Sequence, residues 1–304
     1  MTLLIEQALN GLQYGMMLFV MAAGLTLVFG VMGLINLAHG SLYMIGAFAC
    51  AAVAAATGSF WLGLAASLIA AAFAGALIER IVIRRLYGRD HLDQVLATFA
   101  LILVLSEGTR WAFGSFPLYL TLPPALAGAV TLPGGITYPL FRLLIIAIGG
   151  AIAIGLWLLI GRTRLGIRIR AGEADREMIS ALGVDIGKLY TAVFALGAAL
   201  AGFAGALVGT LQSVQVGMGE PVLILAFVVV VIGGIGSIKG AFIGALLVGI
   251  TDTMGKALLP MLLSPVLGAK ASGPVGAALA SVMIYLLMAL VLIWRPQGLY
   301  GARS

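Results

Sequence analysis

The sequence predicts an all-α fold, a polytopic helical membrane protein with about eight or nine spanning helices. Three observations carry the prediction. Of 304 residues, 62% are hydrophobic and only 9% charged, against about 25% charged in a soluble globular domain. Several uncharged apolar stretches reach the ~20 residues that cross a bilayer as a helix. The ~10-residue alternating segments of a transmembrane barrel are not visible. The 42 glycines suit close helix packing in lipid, where small residues let backbones approach.

Residues 2–10 read as a short interfacial lead-in. A first span runs from about Gly11 to Met32, and a tight turn, GLINLAHG (33–40), leads into a second span ending near Ala56. The third covers about Trp61 to Ile83 and ends in the basic run IERIVIRRLYGRDH; the fourth covers about Gln94 to Phe113. Residues 114–139 are uncharged and broken by Pro and Gly, which excludes a spanning helix there. The fifth span covers about Leu143 to Ile160 and the sixth about Leu189 to Leu211. From Pro221 to Lys256, GSIKG interrupts two apolar pieces, read as two short spans or a broken pair meeting inside the membrane. A last span, about Val275 to Trp294, precedes the tail RPQGLYGARS.

Lys and Arg orient the chain. With residues 162–188 in the cytoplasm, thirteen of 17 basic residues fall inside, from Arg80 to Arg303. Arg110, Arg142, Lys256 and Lys270 fall at outer ends. That positive-inside bias needs nine spans, the N-terminus outside and the C-terminus in the cytoplasm, with 114–139 facing outward. The net charge of +6 is explained by these loops and calls for no nucleic acid. The first basic residue is Arg80, so the basic start of a cleavable signal peptide is missing. One cysteine, Cys50, and two distant histidines, His39 and His91, offer no disulfide framework, metal cluster or catalytic triad.

The stretch from Arg162 to Lys188 is the one densely charged interruption. From Gly172 it reads as a short helix with Glu173 and Asp175 in its first turn, where acids complement the helix dipole. Gly183 stands as its C-terminal stop. Ala174, Met178, Ala181 and Leu182 recur at helical spacing as one apolar stripe, and Arg176 can pair with Glu173. Such a helix lies on lipid headgroups or plugs its stripe into a partner's groove. The absence of Trp and Phe from the stripe favours the groove.

Asn36, His39 and Gly40, with Tyr43 one turn on, place polar groups between two apolar spans. They read as a pathway or gate lining, or as a cytoplasmic turn in which Asn36 caps the second span. Glu107 lies three residues from Arg110, and Asp252 four from Lys256. Each pair can close on one helix face, anchoring an outer end or contacting a substrate's charged groups. Gly202, Gly205, Gly209, Gly236, Gly240 and Gly244 read as packing surfaces.

EADREMISALG resembles the EAA loop of ABC-importer permeases. Glu173 and Ala174 stand at its start, Asp175 in place of its second Ala, and Gly183 at its glycine. GLTLVFGVMGLINLAHGSLYMIGAF (24–48), LGVDIGKLYTAVFALGAALAGFAGAL (182–207), VVVVIGGIGSIKGAFIGALLVG (228–249) and RPQGLYG (295–301) are similar to signature stretches of the branched-chain amino-acid permease family. The resemblance covers nearly the whole chain. It implies an ABC-importer permease fold, a single transmembrane domain over 1–304 with a cytoplasmic coupling loop at 162–188 and a periplasmic loop at 114–139. It also implies a dimer with itself or a sister permease, cytoplasmic ATP-binding subunits and a periplasmic substrate-binding protein.

The chain would be no enzyme and hold no cofactor. Its GK pairs at 187–188 and 255–256 lack the upstream Gly and following Ser/Thr of a phosphate loop. The expected coupling surface is Arg170, Glu173, Ala174, Arg176, Met178, Ala181, Leu182 and Gly183. The expected path or gate is Asn36, His39, Gly40, Tyr43, Gly233 and Gly236. The cargo expected is a branched-chain or other hydrophobic amino acid carried by alternating access. A urea or short-amide importer permease, or an ion-coupled secondary transporter, is the alternative.

Overall fold

The structure is a computed structural model that describes residues 2–132 and 135–301, and for Arg176 and Ala269 the backbone only. Arg303, counted above among the inner basic residues, lies outside the described residues. Among the described residues the fold begins with five long helices: α1 (Thr2–Met32), α2 (His39–Thr57), α3 (Phe60–Ile81), α4 (His91–Phe113) and α5 (Leu140–Arg162). They are followed by α6 (Arg164–Ala174), α7 (Arg176–Ala181), α8 (Ile186–Gly209) and α9 (Gly219–Gly233), of which α6 and α7 are the short helices of the charged loop. Two further long helices, α10 (Ile238–Gly268) and α11 (Lys270–Trp294), meet at a break. Eight of these are long and apolar enough to cross a membrane, and α9 is a shorter apolar helix. An antiparallel hairpin, β1 (Ala129–Leu132) and β2 (Ile136–Pro139), occupies the Pro/Gly-rich stretch, so no helix spans there, as expected.

Helix α1 is the axis. It is apolar on all sides and buried nearly throughout from Gly15 to Val28, which is where such a helix must lie. Glycines set how closely its neighbours approach. A methyl at Gly15 would lie 2.8 Å from the Ala245 carbonyl of α10, and one at Gly197 of α8 would lie 2.8 Å from the Gly24 carbonyl. On the other side of α8, a side chain at Gly46 of α2 would collide with the Gly202 backbone. Helices α4 and α11 are mostly exposed along their lengths, and α5 is mostly buried or part-buried.

The ends of the bundle are distinct. The basic end holds the 3₁₀ turn Ile83–Leu86, α6, α7 and the α9–α10 turn. The hairpin end holds β1, β2 and the N-terminal third of α1, where Tyr138 and Arg142 both donate to Asn10 Oδ1.

The link between α1 and α2 differs from the expected turn. Tyr43 lines the same pocket as Tyr14. From Tyr14 to Met32, α1 descends roughly 27 Å at 1.5 Å per residue, whereas Tyr43 is only four residues into α2. Residues 33–38, non-helical and able to span about 20 Å when extended, must therefore climb back along the bundle before α2 starts. Asn36 does not cap α2. The N-cap is Ala38, with no side-chain bond, and Asn36 Oδ1 accepts from the Ala38 N–H at 3.0 Å. This buried, non-helical return is the kind of backbone tolerated at membrane depth only inside protein or beside a cavity.

Helix α9 starts at the same depth: the Gly219 carbonyl would lie 2.8 Å from a methyl at Gly40. Its 15 residues rise about 22 Å, short of the ~30 Å hydrocarbon core. It ends in a turn through Gly234 (φ +100°) and Gly236 (φ +80°), the break expected at GSIKG. The α9 carbonyls of Ile232 and Gly233 accept from the Leu299 and Tyr300 N–H groups at 2.9 Å each. The RPQGLYG tail thus returns to cap α9. Helix α10 continues past Pro260 and Pro265 to Gly268, whose φ of +73° is non-helical. Residues 257–274, left outside any span in the sequence reading, are this helical hairpin.

Candidate functional site

The charged loop is built by caps. Thr163 Oγ1 accepts from the Gly166 N–H at 3.1 Å to start α6. A side chain at Gly166 would collide with the Leu159 and Ile160 carbonyls, so glycine lets α6 fold back on the end of α5. Arg170 donates to the Ile160 carbonyl, setting a cation at the negative end of the α5 dipole. Arg162 stacks over Trp157, 5.6 Å from the ring centre.

The single helix expected from Gly172 to Leu182 is two. Asp175 Oδ1 accepts from the N–H groups of both Glu177 and Met178 at 2.9 Å, making Asp175 the N-cap of α7. A short polar side chain that satisfies two orphan donors competes successfully with helix continuation. Glu173 therefore sits in the last turn of α6, not the first turn of the next helix. The stop at Gly183 matches the reading: its φ is +85°, and the Val184 N–H reaches back to the Ile179 carbonyl at 3.3 Å, a left-handed C-terminal cap. Ile179 is buried and holds α7 to the bundle. Met178 and Leu182 are 62% and 77% exposed, and Ala174 and Ala181 are exposed with them. The apolar stripe faces away from the protein. The side chain of Arg176, and with it the expected pairing to Glu173, lies outside the described residues.

Glu173 parts company with that stripe. Its Oε1 lies 2.7 Å from where a Gly236 side chain would begin and 3.6 Å from the same point at Gly30. The carboxylate thus reaches between the end of α1 and the α9–α10 turn while the residue stays exposed on its other side, and this partial burial raises its pKa. With Arg170 and Lys239 it edges a cavity of about 810 Å³ whose walls are apolar residues of α1, α5 and α10.

A second cluster at this end escaped the sequence reading. Glu79, fully buried, accepts from the Tyr87 hydroxyl at 2.8 Å, from Arg84 Nε and Nη2 at 3.2 Å, and from the Thr191 hydroxyl at 2.6 Å. Arg84 also donates to the Gly187 carbonyl at 3.1 Å. Burial and the bond to Glu79 raise the Tyr87 pKa, and the bond to Glu79 raises that of Arg84. Asp185 caps α8 through the Lys188 N–H at 3.0 Å, and this bond lowers its pKa. The exit of the charged loop is clamped to the end of α3.

The expected gate residues fall in two places. Asn36, His39, Gly40 and Tyr43 gather at the re-entrant start of α2, all buried. Gly233 and Gly236 lie in the α9–α10 turn, at the level of Gly30, about 24 Å away along α1. Among the described residues, Asn36 Nδ2 and the Ser41, Tyr43 and Thr26 hydroxyls are buried without a hydrogen-bond partner, and His39 is fully buried. Thr26 lines the basic-end cavity. Tyr43 lines a second pocket of about 370 Å³ at the hairpin end. Buried polar groups without protein partners are exceptional and call for water or a ligand. The ion pairs expected from the sequence both form, but differently. Glu107–Arg110 (2.8 Å) is exposed on both sides, as an interface anchor is. Asp252 of the Asp252–Lys256 pair (2.7 Å) is buried and faces the hairpin-end pocket.

The chain matches the family model of the branched-chain amino acid transport system / permease component over residues 7–292. The chain belongs to that family. It is similar to the high-affinity branched-chain amino acid transport system permease protein BraD of Pseudomonas aeruginosa, 31% identical over 98% of this chain and 95% of the relative. LivH of Escherichia coli K12, of the same description, is 28% identical over the same shares. The ribose import permease protein RbsC of Escherichia coli K12 is 29% identical over 81% of this chain and 76% of the relative. No solved structure gives a significant match. As a member of the permease family, the chain is a multi-pass membrane transport subunit and not an enzyme.

Proposed function

We propose that this permease is the membrane subunit of an ATP-driven importer that carries branched-chain or other hydrophobic amino acids across the inner membrane. The observation that carries the reading is α7. Its exposed Met178 and Ala181, with Ala174 at the end of α6 and Leu182 just past α7, make an apolar surface at the basic end, while Ile179 anchors the other side of α7. A cytoplasmic ATP-binding subunit receives that surface, as helix-in-groove recognition requires. Motion of the ATPase then enters the bundle by two routes: Glu173 against Gly30 and Gly236, and the Glu79–Arg84–Thr191 clamp on α8. The chain forms one permease domain with its coupling loop at 162–188. It pairs with a second permease, itself or a sister chain.

The positive-inside bias puts the basic end in the cytoplasm and the N-terminus outside. The 114–139 segment is then periplasmic, where a substrate-binding protein delivers cargo. The re-entrant residues Asn36, His39, Gly40 and Tyr43 line the path between the two cavities, and Gly233 and Gly236 shape its inner end.

Reconstitution tests this. The permease with its ATP-binding subunits and binding protein, in proteoliposomes, is expected to accumulate labelled L-leucine only with ATP on the ATPase side. Accumulation driven by an ion gradient with no ATPase present would replace this reading with a secondary transporter.

A further inference from the structure

At the hairpin end, six helices converge on the pocket of about 370 Å³. Helix α1 supplies Gln13, Tyr14, Met17 and Leu18, α5 supplies Arg142, and α10 supplies Asp252. Its size exceeds the ~300 Å³ at which small-molecule sites begin. Its chemistry is unusual for membrane depth, where charge is costly and marks function. A guanidinium and a carboxylate line the same space, yet among the described residues they are not paired with each other. Arg142 donates to Asn10 Oδ1, and Asp252 pairs with Lys256 of its own helix, whose side chain is half exposed. The rest of the lining is mixed: Met17, Leu18, Val208, Leu211 and Val222 are apolar, and Asn10, Gln13, Gln212 and Thr253 are polar. Tyr43, which also lines the pocket, is fully buried, and its hydroxyl has no hydrogen-bond partner.

We infer that this pocket binds a free zwitterionic α-amino acid with an apolar side chain on its way through the permease. Asp252 takes the α-ammonium, Arg142 the α-carboxylate, and the tyrosine hydroxyls of Tyr43 and Tyr14 supply further hydrogen bonds. The apolar residues take the side chain. A guanidinium and a carboxylate in one pocket, beside apolar residues of α1, α8 and α9, fit a zwitterion with an apolar side chain. A neutral amide or sugar needs hydrogen-bond donors and acceptors but no such pair. The inference rests on the importer reading and adds the residues that hold the cargo.

The test is uptake of labelled L-leucine by proteoliposomes of the complete importer, with ATP hydrolysis stimulated by the binding protein measured in parallel. Asp252→Asn and Arg142→Gln are each expected to lower uptake at least tenfold while stimulated hydrolysis stays within twofold of wild type. Tyr43→Phe, which deletes only the unpartnered hydroxyl, lowers uptake severalfold without lowering the melting temperature. Lys256→Gln removes the ion-pair partner but nothing in the pocket, and leaves uptake near wild type. Uptake within twofold of wild type for Asp252→Asn and Arg142→Gln would overturn the assignment. So would a loss in Lys256→Gln equal to that in Asp252→Asn, which would make the pair structural. Failure of the wild-type complex itself to move leucine would instead overturn the importer reading beneath it.

Discussion

Glu173 and Glu79 lie near each other in role but were unequally visible. Glu173 stood in a motif, and its placement in a charged run made it conspicuous; its position within the helix was misread because Asp175 caps α7 and splits the run. Glu79 sat unremarked in a basic stretch, since Tyr87 is eight residues away and Thr191 more than a hundred. Sequence spacing carries no signal for such a clamp. Glu79→Ala takes from Tyr87 its carboxylate acceptor and leaves Arg84 and Thr191 only the Gly187 carbonyl and each other, and is expected to cost about 1–3 kcal/mol, read as a lowered unfolding midpoint in detergent.

Glu173 behaves differently because burial raises its pKa. A raised carboxyl binds its proton more tightly in the folded chain than in the unfolded one. Its contribution is fully present below the ordinary carboxylate range and is lost as pH rises through the raised value. Glu173→Gln never ionises, so the isolated permease should melt at or slightly above wild type at pH 8, the difference closing toward ~pH 4. A lower melting temperature at pH 8 would contradict the desolvated setting. Glu173→Lys should insert normally and co-purify less ATPase.

At the scale of elements, glycine decides packing. Composition announced small residues, and the span list was legible from apolar runs and basic breaks. Which glycine meets which was not, because the same small residue serves a crossing, a turn or open lipid. Gly46→Ala forces a methyl into the Gly202 backbone and is expected to destabilise by about 1–3 kcal/mol. Gly108→Ala, with nothing within 4 Å, should be neutral or stabilising by up to ~1 kcal/mol. Equal effects from the two, measured by unfolding in detergent, would remove the argument that α2 and α8 touch backbone to backbone. The re-entrant link 33–38 was hidden for a related reason. Its residues are as apolar as a turn between spans can be, and only the shared pocket of Tyr14 and Tyr43 shows how far the chain climbs back. The tail was visible as a signature but not as a cap on α9, a contact between residues more than sixty apart.

For the whole molecule, eight of the described helices are long and apolar enough to cross and α9 is shorter; the proposed topology, with the chain ends at opposite faces and the Lys- and Arg-rich end in the cytoplasm, is open to a labelling test. Cys50 is buried, so introduced cysteines report without background. Tyr119→Cys, in the exposed stretch before the hairpin, should react with a membrane-impermeant maleimide on intact cells stripped of their outer membrane. Leu182→Cys should react only after permeabilisation; the reverse pattern would invert the topology.

The central claim is that α7 is the handle by which a separate ATPase drives this bundle, and co-purification of that ATPase tests it most directly. Met178→Asp with Leu182→Asp charges the exposed stripe while leaving buried Ile179 in place. The double variant is expected to insert and fold as wild type and to retain less than a tenth of the ATPase. Full retention by that double variant would contradict it.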